Sequence, residues 1–175
     1  MVETHNRIWV KVALIACPTI AILGSVSGWM SNSGYSNDWF SPLDKPAFMP
    51  PGWMFGVVWT TLYVLMGLAL SLVWTSERNQ ERTTALRLFF AQLAVNYAWS
   101  PIFFGARMIE AGLLTILLIF ALVAVTAWKF ARIRTLAGLL LVPYLAWLCL
   151  ATALNFEIGR LNPGSDSAPL GIFGD

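Results

Sequence analysis

Charge is what this chain of 175 residues has least of. Asp, Glu, Lys and Arg together make up 11% of it, about half the usual share of a soluble domain. So few charges could not clothe the surface of a soluble fold of this size. The shortage is patterned. No charge falls between Lys11 and Asp38, Lys45 and Glu77, Arg87 and Arg107, Glu110 and Lys129, or Arg134 and Glu157. Each gap can hold a spanning helix, which needs roughly 17–25 residues. A charge at a helix centre costs about 2.5–3.5 kcal/mol on the insertion scale. The pattern predicts an all-α integral membrane protein, a five-transmembrane-helix bundle. Its helices are expected at about 10–30, 53–75, 86–105, 111–130 and 136–159, in one domain over residues 1–161.

Other absences narrow the function. No ionisable side chain lies within the predicted membrane core, which argues against a proton pump or an ion-coupled transporter. The only histidine, His5, sits near the N-terminus, so haem ligation by histidine is not expected. The two cysteines, Cys17 and Cys149, fall in predicted helices and read as buried small apolar residues. No disulfide framework or metal motif is visible, and no metal site or required cofactor is expected. No internal repeat marks a transporter of two halves. The N-terminal apolar run extends to Met30, too long for a signal-peptide core, and no clean cleavage site follows it. The tail, 162–175, holds Pro, Gly, Ser and Asp and is expected to be flexible.

The basic residues set an orientation. With five spans, Arg7, Lys11, Arg78, Arg82, Arg87, Lys129, Arg132 and Arg134 share one side, and only Lys45, Arg107 and Arg160 lie opposite. This predicts the N-terminus on the cytoplasmic, basic-rich side and the C-terminus opposite. The net charge of +2 is then a topology signal and not a nucleic-acid footprint.

What the chain does have is proline and tryptophan in one place. Residues 31–52 contain Gly34, Pro42, Pro46, Pro50 and Pro51, which predicts a stiff, compact loop. It leads directly into Trp53 and the apolar run beyond. Three predicted helices carry aromatic-plus-polar stripes at helical spacing. They are Trp59, Tyr63 and Met66; then Phe89, Gln92, Asn96, Trp99 and Phe103; then Tyr144, Trp147, Ala151 and Asn155. Gln92 and Asn96 are amides at membrane depth and need partners. They serve either as interhelical hydrogen bonds or as groups that orient a ligand, and the residues alone leave both open. Trp29, Trp39, Trp53 and Trp74 fit an interfacial belt, whereas Trp59 and Trp147 lie deeper. Facing indole and phenol rings would suit a flat conjugated ligand.

Several motifs carry a family resemblance over nearly the whole chain. They are Leu43-Asp44-Lys45-Pro46 with Pro50-Pro51, Trp59-Thr60-Thr61-Leu62-Tyr63, and Gln92-Leu93 with Asn96-Tyr97-Ala98-Trp99-Ser100-Pro101-Ile102-Phe103-Phe104-Gly105. Pro143-Tyr144-Leu145-Ala146-Trp147 and Leu154-Asn155-Phe156 complete the set. The chain resembles the translocator protein family, also called tryptophan-rich sensory protein or peripheral benzodiazepine receptor.

That resemblance implies a homodimer of five-helix bundles in contact with membrane lipid. It implies a receptor whose pocket, on the first-loop side, binds protoporphyrin IX, haem and benzodiazepine- or isoquinoline-type ligands. By matching position, the contacts would come from Trp59, Asn96, Trp99, Trp147, Ala151 and Leu154. Tyr63, Gln92 and Tyr144 join them as stripe residues. The loop 31–52, through Trp39, Lys45 and Phe48, together with Trp53 just beyond it, would close the pocket as a lid, with Lys45 a partner for a ligand carboxylate. Some relatives degrade protoporphyrin in light, which would give catalytic roles to Trp59 and Trp147. Eukaryotic relatives bind cholesterol through a Leu/Val-x-Tyr-x-Arg/Lys stretch, and here Phe156 stands where that pattern has Tyr. Three functions follow in order of support: a tetrapyrrole receptor and sensor, a light-dependent porphyrin-degrading enzyme, and a porphyrin or sterol transporter. The candidate dimer faces are Gly24 with Gly28, and Ala91, Ala94 and Ala98.

Overall fold

The computed structural model describes residues 2–173, and of residues 2–7 the backbone only. The side chains of His5 and Arg7, used above in the functional and orientation arguments, lie outside the described residues. The described residues are helical and contain no strand. Helix α1 runs Val2–Met30, α2 Gly52–Trp74, α3 Gln80–Ser100, α4 Ile109–Ile133, α5 Thr135–Leu139 and α6 Val142–Leu161; a π-helical turn, Pro101–Gly105, extends α3.

The expectation of five transmembrane helices is corrected. Four segments are long and apolar enough to cross a membrane: Ile8–Met30, Gly52–Trp74, Ile109–Ile133 and Thr135–Leu161. Helix α3 is not among them. It begins at Gln80 and takes in Glu81, Arg82 and Arg87, and its interior holds Gln92, Asn96 and Tyr97. A stretch without charge need not be apolar, and α3 is rich in neutral polar groups. The opposition of the two termini across the membrane followed from counting five crossings, and four candidate spans do not carry it.

Two prolines set breaks in the helices. Pro143 was expected inside a continuous helix over 136–159. The helix is instead interrupted at Leu140–Leu141, and Pro143 sits in the first turn of α6, where its missing N–H costs least. Pro101 opens the π-turn, in which the Ala106 N–H reaches the Pro101 carbonyl at 2.7 Å. The wider turn carries Phe103, 2% exposed, and half-buried Phe104.

Small residues let the helices approach. A Cβ on Gly67 would lie 2.7 Å from the Cys17 Cα, and one on Gly24 would lie 2.3 Å from the Tyr63 ring. These two contacts make α1 and α2 an antiparallel pair. Gly24 therefore serves packing within the chain. Ala91, Ala94 and Ala98 remain exposed on α3. Half-buried Cys17 donates its thiol to the Val64 carbonyl, but Cys149, expected to be buried, is exposed. The main core joins α2, α3, α4 and α6 around Met66, Phe89, Phe130 and Tyr144. Phe89 and Phe130 stack with centroids 5.6 Å apart.

Residues 162–173, expected to be flexible, pack against the end of the bundle that carries the first loop. The Glu110 carboxylate accepts backbone N–H groups from Leu170, Ile172 and Phe173. In return, the Glu110 N–H donates to Asp166 Oδ2 at 2.7 Å. Asp166 thus caps α4, whose own N-cap, Met108, offers no side-chain acceptor. Trp39 Nε1 donates to the Ser165 carbonyl at 3.2 Å, and Asp44 and Asn162 exchange two hydrogen bonds at 2.8 Å.

Candidate functional site: an aromatic cavity between the helices

The first loop builds the upper wall of the site. Asn37, 7% exposed, accepts the N–H groups of Trp39 and Phe40 on its Oδ1 at 3.0 Å, and its Nδ2 donates to the Asn32 carbonyl. This Asx turn drives Phe40 down to 2% exposure. There it packs edge-on against Phe103 and Phe104, with centroids 5.9 and 5.2 Å away. The Tyr35 hydroxyl donates to the Pro50 carbonyl at 2.8 Å and ties the two ends of the loop together.

Lys45 belongs to this loop and not to the cavity wall. Its ammonium donates to the Phe40, Ser41 and Leu43 carbonyls at 2.8–2.9 Å, which uses all three of its donors. It also lies 4.7 Å from the Phe40 ring centroid. Desolvation holds its pKa below the ordinary lysine value, partly offset by the Asp44 carboxylate.

Beneath the loop lies a cavity of about 600 Å³, bordered by α1, α2, α3, α4 and α6. It falls in the size range of small-molecule sites. From α2 come Trp59 and Tyr63; from α3, Asn96 and Trp99; from α6, Trp147, Ala151 and Leu154. Helical spacing brings these residues to one face of each helix. The rings contact one another edge-on, tilted or stacked. Trp59 lies 5.3 Å from Tyr63, 6.1 Å from Tyr144 and 6.5 Å from Trp147 between centroids. Trp99 stacks on Phe103 at 5.0 Å.

The other expected residues are elsewhere. Gln92 (1% exposed) and Tyr144 (1% exposed) sit in the core behind the wall. Phe48 and Trp53 are 50% and 68% exposed and face outward. Trp39 borders a separate surface cleft with Arg107 and Ser165. From the loop, Tyr35, Phe40 and Met49 line the cavity, with Ser33, Gly34 and Ser36 beside them; of these the sequence pattern singles out only Gly34, as a loop former. Phe55, one turn before Trp59, also lines it, as does Asn155, one turn after Ala151. Phe55 could have been found by extending the α2 stripe by four residues, whereas Asn155 already closes the α6 stripe.

Polar chemistry in the wall is neutral. Asn96 Nδ2 donates to the Tyr144 hydroxyl at 2.6 Å, and the Tyr63 hydroxyl donates to Asn96 Oδ1 at 3.4 Å. Asn96 therefore links three helices, the first of the two roles left open for it. Among the described residues no group of three or more His, Cys, Asp or Glu could hold a metal ion. The arrangement can bury a flat apolar ligand among rings and offer it neutral hydrogen-bonding groups.

Comparison with known proteins bears on this geometry. The TspO/MBR family model matches residues 14–161. The chain is 43% identical over 126 residues to the tryptophan-rich sensory protein of Cereibacter sphaeroides, covering 72% of this chain and 78% of that one. It is 40% identical over 144 residues to the translocator protein of Homo sapiens, covering 81% and 85% respectively. It is also 40% identical over 127 residues to protein CrtK of Rhodobacter capsulatus, covering 72% and 79%. The match spans every helix that borders the cavity, and on it the chain belongs to the TspO/MBR family.

Proposed function

We propose that this chain is a membrane receptor and sensor that binds tetrapyrroles, protoporphyrin IX and haem, together with benzodiazepine- or isoquinoline-type ligands. The observation that carries the reading is the cavity of about 600 Å³ walled by Trp59, Tyr63, Trp99 and Trp147. Ring contacts of this kind contribute about 0.5–1.5 kcal/mol per pair beyond burial. No cofactor is required for binding, and the tetrapyrrole is the ligand. The basic end of the bundle, with Arg78, Arg82, Lys129, Arg132 and Arg134, faces the cytoplasm in this reading. The exposed Ala91, Ala94 and Ala98 of α3 form the contact of a homodimer, where small residues permit close approach.

One feature favours a second activity. Trp59 and Trp147 both line the cavity with ring centroids 6.5 Å apart. An excited porphyrin is its own photosensitiser, and an adjacent indole can donate an electron to it while dioxygen serves as the oxidant. Light-dependent breakdown of protoporphyrin would then need no acid or base from the protein.

A titration of purified protein with protoporphyrin IX, in the dark and then under light, tests both readings. The receptor reading expects saturable quenching of tryptophan fluorescence in the dark. The enzymatic reading adds a new absorbance band under light that is lost in Trp147→Phe without loss of binding. Absence of saturable quenching would remove both.

A further inference from the structure

The two asparagines of the cavity wall are in opposite states. Asn96 has both amide atoms engaged by tyrosine hydroxyls. Asn155 is 2% exposed and lines the same cavity, yet neither its Oδ1 nor its Nδ2 has a hydrogen-bond partner among the described residues. The buried Nε1 of Trp99, on the same wall, is also unpartnered. Both side chains lie near the Phe103 ring. Trp99 stacks on Phe103, and a Cβ built on Gly112 would lie 2.9 Å from the Phe103 ring and 3.4 Å from Asn155 Nδ2. Gly112 thus leaves the amide room that any side chain would take.

An unsatisfied buried amide is expensive, and a leucine at this place on α6 would pack at no such cost. We infer that Asn155 is the specificity-determining residue of the cavity, and that it selects ligands whose edge carries a hydrogen-bond donor beside an acceptor. A primary carboxamide, a lactam or an un-ionised carboxylic acid has this edge and would meet both amide atoms once the Asn155 side chain, enclosed beside Gly112, turns toward the cavity. The Trp99 indole N–H adds a donor for a second acceptor on the same ligand. An ester offers acceptors alone and leaves Asn155 Oδ1 without a partner. Sites built to hydrogen-bond a ligand reject analogues that lack the matching group far more strongly than apolar pockets discriminate size.

This inference rests on the tetrapyrrole reading, and the experiment separates the two. Wild-type protein and Asn155→Leu, in nanodiscs and in the dark, are titrated with two probes: the bis-carboxamide of protoporphyrin IX and its dimethyl ester. Wild type is expected to bind the amide at least about tenfold more tightly than the ester. Asn155→Leu is expected to bind both alike, the amide-over-ester preference being lost whatever the absolute affinities. Asn155→Ser, which keeps a hydroxyl in the same place, is expected to fall between them and serves if the leucine variant does not fold. Equal affinity of wild type for the two probes, or a preference that survives in Asn155→Leu, overturns the role of Asn155 and leaves the receptor reading standing. No saturable binding of either probe overturns both.

Discussion

At the scale of single residues, the same side-chain chemistry does different work according to its neighbours. Asn96 and Asn155 share a residue type and a cavity, but the tyrosines reach only Asn96. Tyr144→Phe deletes the acceptor for Asn96 Nδ2. Interhelical hydrogen bonds of this kind average about 0.6 kcal/mol, so a small fall in melting temperature is expected, with the Asn96 amide newly available to ligand. Lys45 is the clearer lesson. A lysine in a loop over a pocket reads in sequence as a partner for an anionic ligand, but three carbonyls claim its ammonium. Lys45→Ala is expected to weaken diacid and diester porphyrins by the same factor, through a loosened loop. A loss confined to the diacid, measured in paired titrations, would return Lys45 to the binding site. The sequence could not show this because carbonyl positions depend on the path of the loop, which side-chain identities do not encode.

At the scale of elements, helical periodicity found inward-facing stripes but not where along each the core gives way to the cavity, since Met66, Phe89, Gln92 and Tyr144 do not line it. Phe89, Gln92, Asn96 and Phe103 are all buried, and Trp59, Tyr63, Trp147 and Ala151 do converge. What periodicity missed were the elements ruled by backbone geometry. The π-turn after Pro101 and the break before Pro143 both follow from a proline that cannot donate to the preceding turn, but the form of each break is set by tertiary contacts. Charge gaps misjudged α3 because they weigh formal charge and ignore neutral polar groups. Close packing of α1 on α2 yields a direct prediction. Gly67→Ala would place a Cβ 2.7 Å from the Cys17 Cα and 2.8 Å from its backbone N, where backbone has little room to yield. A cost of about 1–3 kcal/mol is expected, read as a lowered unfolding midpoint. The docked tail gives a second. Glu110→Ala removes the acceptor of three backbone N–H groups. Hydrogen bonds to charged groups contribute about 1.5–3 kcal/mol, so amide exchange at Leu170, Ile172 and Phe173 should quicken at least about tenfold. Unchanged protection would mean that Phe173 holds the tail by itself, through its contact with Gly159, where a Cβ would meet the ring at 2.1 Å. Composition predicted a flexible tail because it cannot register an acceptor that lies some 60 residues earlier.

At the scale of the whole molecule, five helices stand apart enough to leave a cavity, and rings rather than charges furnish it. Membrane placement and family membership were legible in the sequence, the first from charge spacing and the second from ordered motifs. The number of candidate spans was not, since it depends on hydropathy across α3. In the proposed function a flat ligand occupies this cavity and not the outer surface. Ala151 lines the cavity, whereas Ala153, two residues on, is exposed on the opposite side of α6. The decisive measurement is protoporphyrin IX affinity, by fluorescence titration, of Ala151→Trp against Ala153→Trp. An indole at 151 fills part of the cavity of about 600 Å³, so at least about a tenfold loss is expected there, with affinity at 153 unchanged. Wild-type affinity in Ala151→Trp would place the ligand elsewhere and contradict the account.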